Sequence, residues 1–122
     1  MKYLLSMHLN PAVMAALSDE ERNELQTGHG DFIAKIKESG EYVFTQALAD
    51  PSASTVIRAY DGVPAVTDGP YIESKEFLGG FYVVDCKTRE RAHEVAAMLP
   101  DAKIKGLGIE VREVIFSDGL PE

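Results

Sequence analysis

Phe77-Leu-Gly-Gly-Phe-Tyr-Val-Val-Asp-Cys86 is the most apolar segment of the chain, and its length and aromatic, β-branched content make it a strand. Phe81 to Val84 are apolar on consecutive residues, so both faces of this strand seek cover. Gly79-Gly80 lacks any GxGxxG or P-loop context and reads as close packing or a bulge. Downstream, Thr88 can cap a helix reaching Leu99, with Ala92, Val95, Ala96 and Leu99 as its buried stripe. Pro100 stops that helix. Gly108–Phe116 reads as the last strand, and Ser117–Glu122 as a frayed tail.

A second strand–helix–strand unit lies upstream. Residues 2–9 alternate loosely, with Tyr3, Leu5, Met7 and Leu9 on one face, and form the first strand. Asn10 can cap a short helix with Pro11 at its first position. Ser18-Asp-Glu-Glu21 matches a capping box, its carboxylates crowding the turn that the helix dipole favours. Leu25, His29, Phe32, Ile33 and Ile36 follow at spacings of three and four, one apolar stripe running to about Ser39. Gly28 and Gly30 weaken this helix by about 1 kcal/mol each relative to alanine. Glu41–Ala49 is the next strand and Pro51-Ser-Ala-Ser a loop. Thr55–Tyr60 and Val63–Thr67 flank Asp61-Gly62, a strong hairpin signal.

The order strand–helix–strand, hairpin, strand–helix–strand predicts an α+β, ferredoxin-like βαβ-βαβ fold with an inserted hairpin. Its antiparallel sheet carries both helices on one face. The apolar excess on Phe81–Val84 predicts that the other face packs on a second subunit, giving a homodimer whose sheets meet or curl into a barrel. The alternative is that the hairpin folds over that face. Residues 1–116 form one domain in this reading, with 117–122 as the tail.

The chain has 122 residues, 45% hydrophobic and 26% charged, which allows a single domain with a real core. No apolar run approaches membrane-spanning length, and the N-terminus is too brief for a secretory signal. Cys86 is the single cysteine, with no partner for an internal disulfide, and reads as a small buried hydrophobe. The expected location is therefore the cytoplasm. Net charge is -8, and each half of the chain contributes equally, so no basic surface is hidden in an acidic total. Direct nucleic-acid binding is not expected, because that surface needs to neutralise phosphates. His8, His29 and His93 have no metal-ligand spacing, and no nucleophile elbow or cofactor-binding motif occurs, so neither metal nor cofactor is expected.

Val66-Thr-Asp-Gly-Pro-Tyr-Ile-Glu-Ser-Lys-Glu-Phe-Leu-Gly-Gly-Phe-Tyr-Val-Val-Asp85 resembles the signature of the DGPF-type, YCII-related proteins, TDGPFAE(T/S)KE followed by a spaced LGGFY. The opening MKYLL, the Leu17–Arg22 helix start and Glu110-Val-Arg112 extend the resemblance over nearly the whole chain. It implies a dimeric α+β barrel. Most such proteins have no established activity; many are associated with alternative sigma factors, and a few related domains are lyases acting on chlorinated aromatic rings. A facing histidine and aspartate are proposed in that wider group, and the matching residues here are His29 and Asp68. Tyr71-Ile72 replaces the usual Phe-Ala, and Arg112-Glu113 the usual Arg-Pro.

These residue types suit acid–base work. His29 lies on the apolar stripe, pointing toward the sheet, and its flanking glycines admit a close neighbour. A carboxylate beside a histidine stabilises its charged form and fixes its tautomer, as a general base requires. The structural alternative is a core histidine bonded to a backbone carbonyl. Asp68 either orients His29 or caps its own turn. Glu73 and Lys75 either line a cleft mouth or pair on the surface, where such pairs contribute under about 1 kcal/mol. Arg112 either holds an anionic ligand or forms a structural ion pair. Tyr71, Tyr82 and the phenylalanines line an aromatic pocket or fill the core. The functional expectation is a small-molecule enzyme using His29 and Asp68, with Tyr71, Glu73, Lys75 and Arg112 around the ligand. The alternative is a ligand-binding or regulatory module beside the transcription machinery.

Overall fold

A computed structural model describes residues 1–72 and 74–119. The chain runs β1 (Lys2–Leu9), α1 (Pro11–Ala16), α2 (Asp19–Glu38), β2 (Tyr42–Ala47), β3 (Thr55–Tyr60), β4 (Val63–Asp68), β5 (Phe77–Asp85), α3 (Arg89–Ala97) and β6 (Gly108–Glu113), with 3-10 turns at Pro51–Ala53 and Pro100–Lys103. Local chemistry sets the helix ends. The Asn10 side chain accepts from Ala12 N–H at 3.0 Å, Ser18 and Glu21 form the reciprocal capping box, and Thr88 accepts from Arg91 N–H. Gly40, at φ +80°, takes the left-handed conformation that ends α2.

β1, β2, β5 and β6 form one antiparallel sheet in the order β2-β5-β1-β6, the ferredoxin-like arrangement. Registers Tyr3↔Val84 and Leu5↔Tyr82 put these four side chains on the helix-covered face. There Leu5, Val84, Val95 and Leu99 are wholly buried together with Phe32 and Ile36 of α2. The opposite face carries Leu4, Phe44, Phe81 and Val83. Between Met7 and His8 the β1–β5 register slips by one residue, and Gly79 is the extra one. A side chain on Gly79 would overlap that of Leu9.

Three ends differ from the periodicity. β2 stops at Ala47, opposite Gly80 and next to the Gly79 bulge of β5. α3 ends at Ala97 because Pro100 opens a 3-10 turn instead of leaving a plain loop. β6 stops at Glu113: Val114 N–H still donates to Lys2 C=O, but β1 then runs out, and Ile115 and Phe116 are exposed. The tail residues 120–122 lie outside the described residues.

β3 and β4 make a separate two-stranded sheet closed by Asp61 (φ 51°) and Gly62 (φ 79°), the two positive values of a type I′ turn. Ile57 and Val66 face each other across this hairpin, each 69% exposed. At the end of the sheet where β2 begins, Arg91 Nε and Nη2 donate to the two carboxylate oxygens of Glu41, each at 2.9 Å. These hydrogen bonds hold the Glu41 carboxyl down at about 2, well below its usual 4.5. Cys86 is buried beside them; burial first, and Glu41 second, push its thiol up to about 11. It is an inert core residue, as its position closing a strand predicts.

Candidate functional site

The stripe of α2 presents His29 between Leu25 and Phe32, toward β5, where Tyr82 faces it from the core side of the sheet. The third member comes from the 3-10 turn after α3. Gly28 permits this: a Cβ there would stand 3.0 Å from Pro100 Cβ and Cγ, so the missing side chain lets the turn lie directly on the helix. Asp101, the next residue, thereby reaches His29. Its Oδ1 lies 2.6 Å from His29 Nε2, and His29 Nδ1 lies 2.8 Å from the Tyr82 hydroxyl.

A carboxylate oxygen only accepts, so Nε2 carries a proton and donates to Asp101. In the neutral ring Nδ1 is then the acceptor for the Tyr82 O–H; in the doubly protonated ring Nδ1–H donates to the Tyr82 oxygen. Asp101 is 2% exposed and His29 side chain 24%, so the carboxylate is enclosed while the ring keeps one edge open. Burial, opposed by Thr45 and reinforced by Asp101, pushes the Tyr82 phenol up to about 12. It keeps its proton throughout the neutral range. Phe32 sets its ring edge against Tyr82 at 5.0 Å between centroids and fixes that ring.

Beside the trio lies a cavity of about 350 Å³ lined by Met7, Leu9, Met14 and Leu25, by Thr45, Gln46, Ala47 and Gly79, and by His29, Tyr82 and Asp101. That is the small end of the roughly 300–1,000 Å³ of ligand sites. Its walls are mostly apolar; its polar groups are the hydrogen-bonded His29, Tyr82 and Asp101 together with Thr45 and Gln46, and the bulged Gly79 is part of the lining. A larger open depression along α2 is lined by Glu20, Glu24, Thr27 and Asp31, with no histidine, lysine or arginine among its lining residues.

The carboxylate paired with His29 within the chain is Asp101 and not Asp68. Asp68 ends β4, exposed, in the separate hairpin. The physical reason is that Asp101 already takes His29 Nε2 and Tyr82 takes Nδ1. Tyr71 is exposed, with the Arg58 guanidinium 4.4 Å from its ring centre. Lys75 is exposed in the segment before β5, and Glu73 lies outside the described residues. Arg112 is opposite Leu4 on the far face of the sheet, paired with Glu110 at 2.6 Å and 70% exposed. None of Asp68, Tyr71, Lys75 and Arg112 lines the cavity with His29. Among the described residues, no three His, Cys, Asp or Glu side chains are grouped to hold a metal ion. No described helix is long and apolar enough to cross a membrane.

Asp101 escapes a reading of the sequence because Pro100-Asp101 looks like ordinary helix-stop punctuation. The signal available is Gly28, a glycine inside a helix beside the only histidine on the apolar stripe.

These features define a small α+β protein with a buried histidine–carboxylate pair in the lining of a mostly apolar cavity. The chain belongs to the YCII-related domain family, whose model matches residues 1–116. It is also 30% identical over 112 residues to an uncharacterized protein of Rhizobium meliloti (strain 1021), covering 92% of this chain and 90% of that relative.

Proposed function

We propose that the protein is a small-molecule enzyme performing proton transfer, with His29 as the acid–base group and Asp101 as its partner. The observation that carries this is the enclosed Asp101 carboxylate on His29 Nε2, in the lining of a mostly apolar cavity. A carboxylate so placed holds one tautomer and stabilises the imidazolium formed when the ring takes a proton. Burying a carboxylate is unfavourable on its own, and the hydrogen bond from His29 offsets part of that cost. The working form is a homodimer. Support for it comes from half-buried Leu4, Phe44 and Phe81 on the face of the sheet away from the helices and from the exposed Ile57 and Val66 of the hairpin.

The test is deuterium exchange in D₂O, followed by proton NMR, at the carbon beside the carbonyl of a panel of small neutral ketones. The protein accelerates exchange of the ketones it binds, and His29→Gln reduces the rate about 10²–10⁴-fold. Exchange no faster than in buffer, for every ketone that binds, overturns the reading.

A further inference from the structure

Both ring nitrogens of His29 are occupied, Nε2 by Asp101 and Nδ1 by Tyr82. The imidazole therefore has no nitrogen left for a ligand, although its edge lines the cavity. Tyr82 also lines the cavity, and its hydroxyl, with one O–H and two lone pairs, has capacity beyond its bond to Nδ1 and its interaction with Thr45. We infer that the Tyr82 hydroxyl, and not the imidazole, is the group that meets the ligand, and that the ligand is a small, uncharged, mostly apolar molecule presenting one oxygen atom to it. The inference deepens the acid–base reading above and rests on it.

The proton path follows from the two protonation states of the ring. With His29 neutral, Tyr82 donates to Nδ1 and its oxygen accepts from a ligand hydroxyl. The ligand O–H bond breaks, its proton forms a new O–H bond on Tyr82, and the proton Tyr82 held moves to Nδ1. The ligand is left with its electron pair and negative charge on oxygen, offset by the imidazolium that Asp101 steadies. Reversal runs the same atoms backward and protonates a ligand oxygen. Tyr82, with its phenol pushed up to about 12, passes a proton on without accumulating as tyrosinate.

The lining sets the ligand class. No lysine or arginine is among the lining residues, so an anion finds no fixed positive charge. Asp101 is 2% exposed and directed at His29, so a cation finds little carboxylate surface. Two methionines and two leucines offer adaptable apolar walls to a molecule with few polar atoms.

The experiment compares cyclohexanone with methylenecyclohexane, which differ in the oxygen alone. Binding to the full chain is followed through the labelled methyl groups of Met7 and Met14, at a pH where the imidazole nitrogen signals show a doubly protonated His29 ring, which frees the Tyr82 O–H to donate. The expected result is that the ketone binds about fivefold to tenfold tighter, the value of one hydrogen bond, and that Tyr82→Phe abolishes this preference. Equal binding of the two probes by the unmodified protein overturns the inference and needs no variant. A ketone preference that survives in Tyr82→Phe also overturns it, while leaving the acid–base reading standing. If neither probe moves the methionine signals, the cavity takes no such ligand and the inference falls, while the exchange assay alone decides the acid–base reading.

Discussion

Gly28 and Pro100 lie in contact across the site, with no room between them for a methyl group: a Cβ on Gly28 would meet two Pro100 carbons at 3.0 Å. Replacing Gly28 by alanine sets two effects against each other. Helix propensity improves by about 1 kcal/mol, and the Pro100 turn must retreat by a few tenths of an ångström. Gly28→Ala is expected to change stability by under about 1 kcal/mol yet weaken the His29–Asp101 bond, visible in the imidazole nitrogen signals. Gly30→Ala is the control, since nothing stands within 4 Å of its Cβ. It should stabilise the helix and leave His29 unchanged. Unaltered His29 signals in Gly28→Ala would show that Asp101 does not depend on this contact.

Asp101→Asn keeps the shape and removes the charge. Its amide can present either oxygen or nitrogen to His29, so the ring is expected to lose its single tautomer. Nitrogen NMR of the neutral imidazole reads this as a mixture where the unmodified protein gives Nε2–H alone. Asp101→Ala goes further and leaves a partly buried N–H without its acceptor, costing about 1–3 kcal/mol in chemical denaturation. A variant as stable as the parent would mean that water replaces the carboxylate.

Acid should expose the Glu41–Arg91 clamp. The Glu41 carboxyl is held near 2 in the folded chain against 4.5 when free, so the folded state favours its ionised form. Its contribution is complete above about pH 4.5 and is lost as pH falls through about 2. Allowing for solvent screening of a guanidinium side chain 34% exposed, it is on the order of 1–2 kcal/mol. Glu41→Gln should lower stability at neutral pH and flatten the fall between those values. Parallel acid profiles for the two proteins would remove Glu41 as the cause.

Association is tested by mass. The unmodified chain should sediment at twice its 13.3 kDa, and a charge placed on the hairpin by Ile57→Lys with Val66→Lys should shift it toward monomer without unfolding. A monomer at all concentrations would refute the dimer, whatever the variant does.

Much of this architecture is legible because its local signals agree with one another. The capping box at Ser18–Glu21, Asp61-Gly62 between two short β-prone runs, and Pro100 after the Leu99 stripe each identify their element. His29 is readable as a buried polar group for the same reason, being the histidine on an apolar stripe. Asp101 is not. A carboxylate in a short turn acquires its role from a contact with a helix some seventy residues away in the chain, and no periodicity encodes that. Asp68 is the residue that the family resemblance points to, but its place at the end of the β3–β4 hairpin does not report on what faces His29 within the chain. Tyr82 belongs to the core and also lines a cavity whose lining includes the bulged Gly79, where the strand pattern only hints at an irregularity.

The strand order has a kinetic consequence. β1 and β5 are the central pair, and even their nearest partners, Leu9 and Phe77, close a loop containing α2, β2 and the whole hairpin. Nothing in the main sheet except β2 against β5 and β1 against β6 can zip up before or without that closure, and those pairings also span long stretches of chain. Chains dominated by such distant contacts fold slowly, because ordering entropy is lost before the contacts that offset it form. That entropy grows only with the logarithm of loop length, about 0.6 kcal/mol per doubling. Residues added at the Asp61-Gly62 tip should therefore leave the refolding rate almost unchanged, whereas weakening the β1–β5 seam should slow it directly.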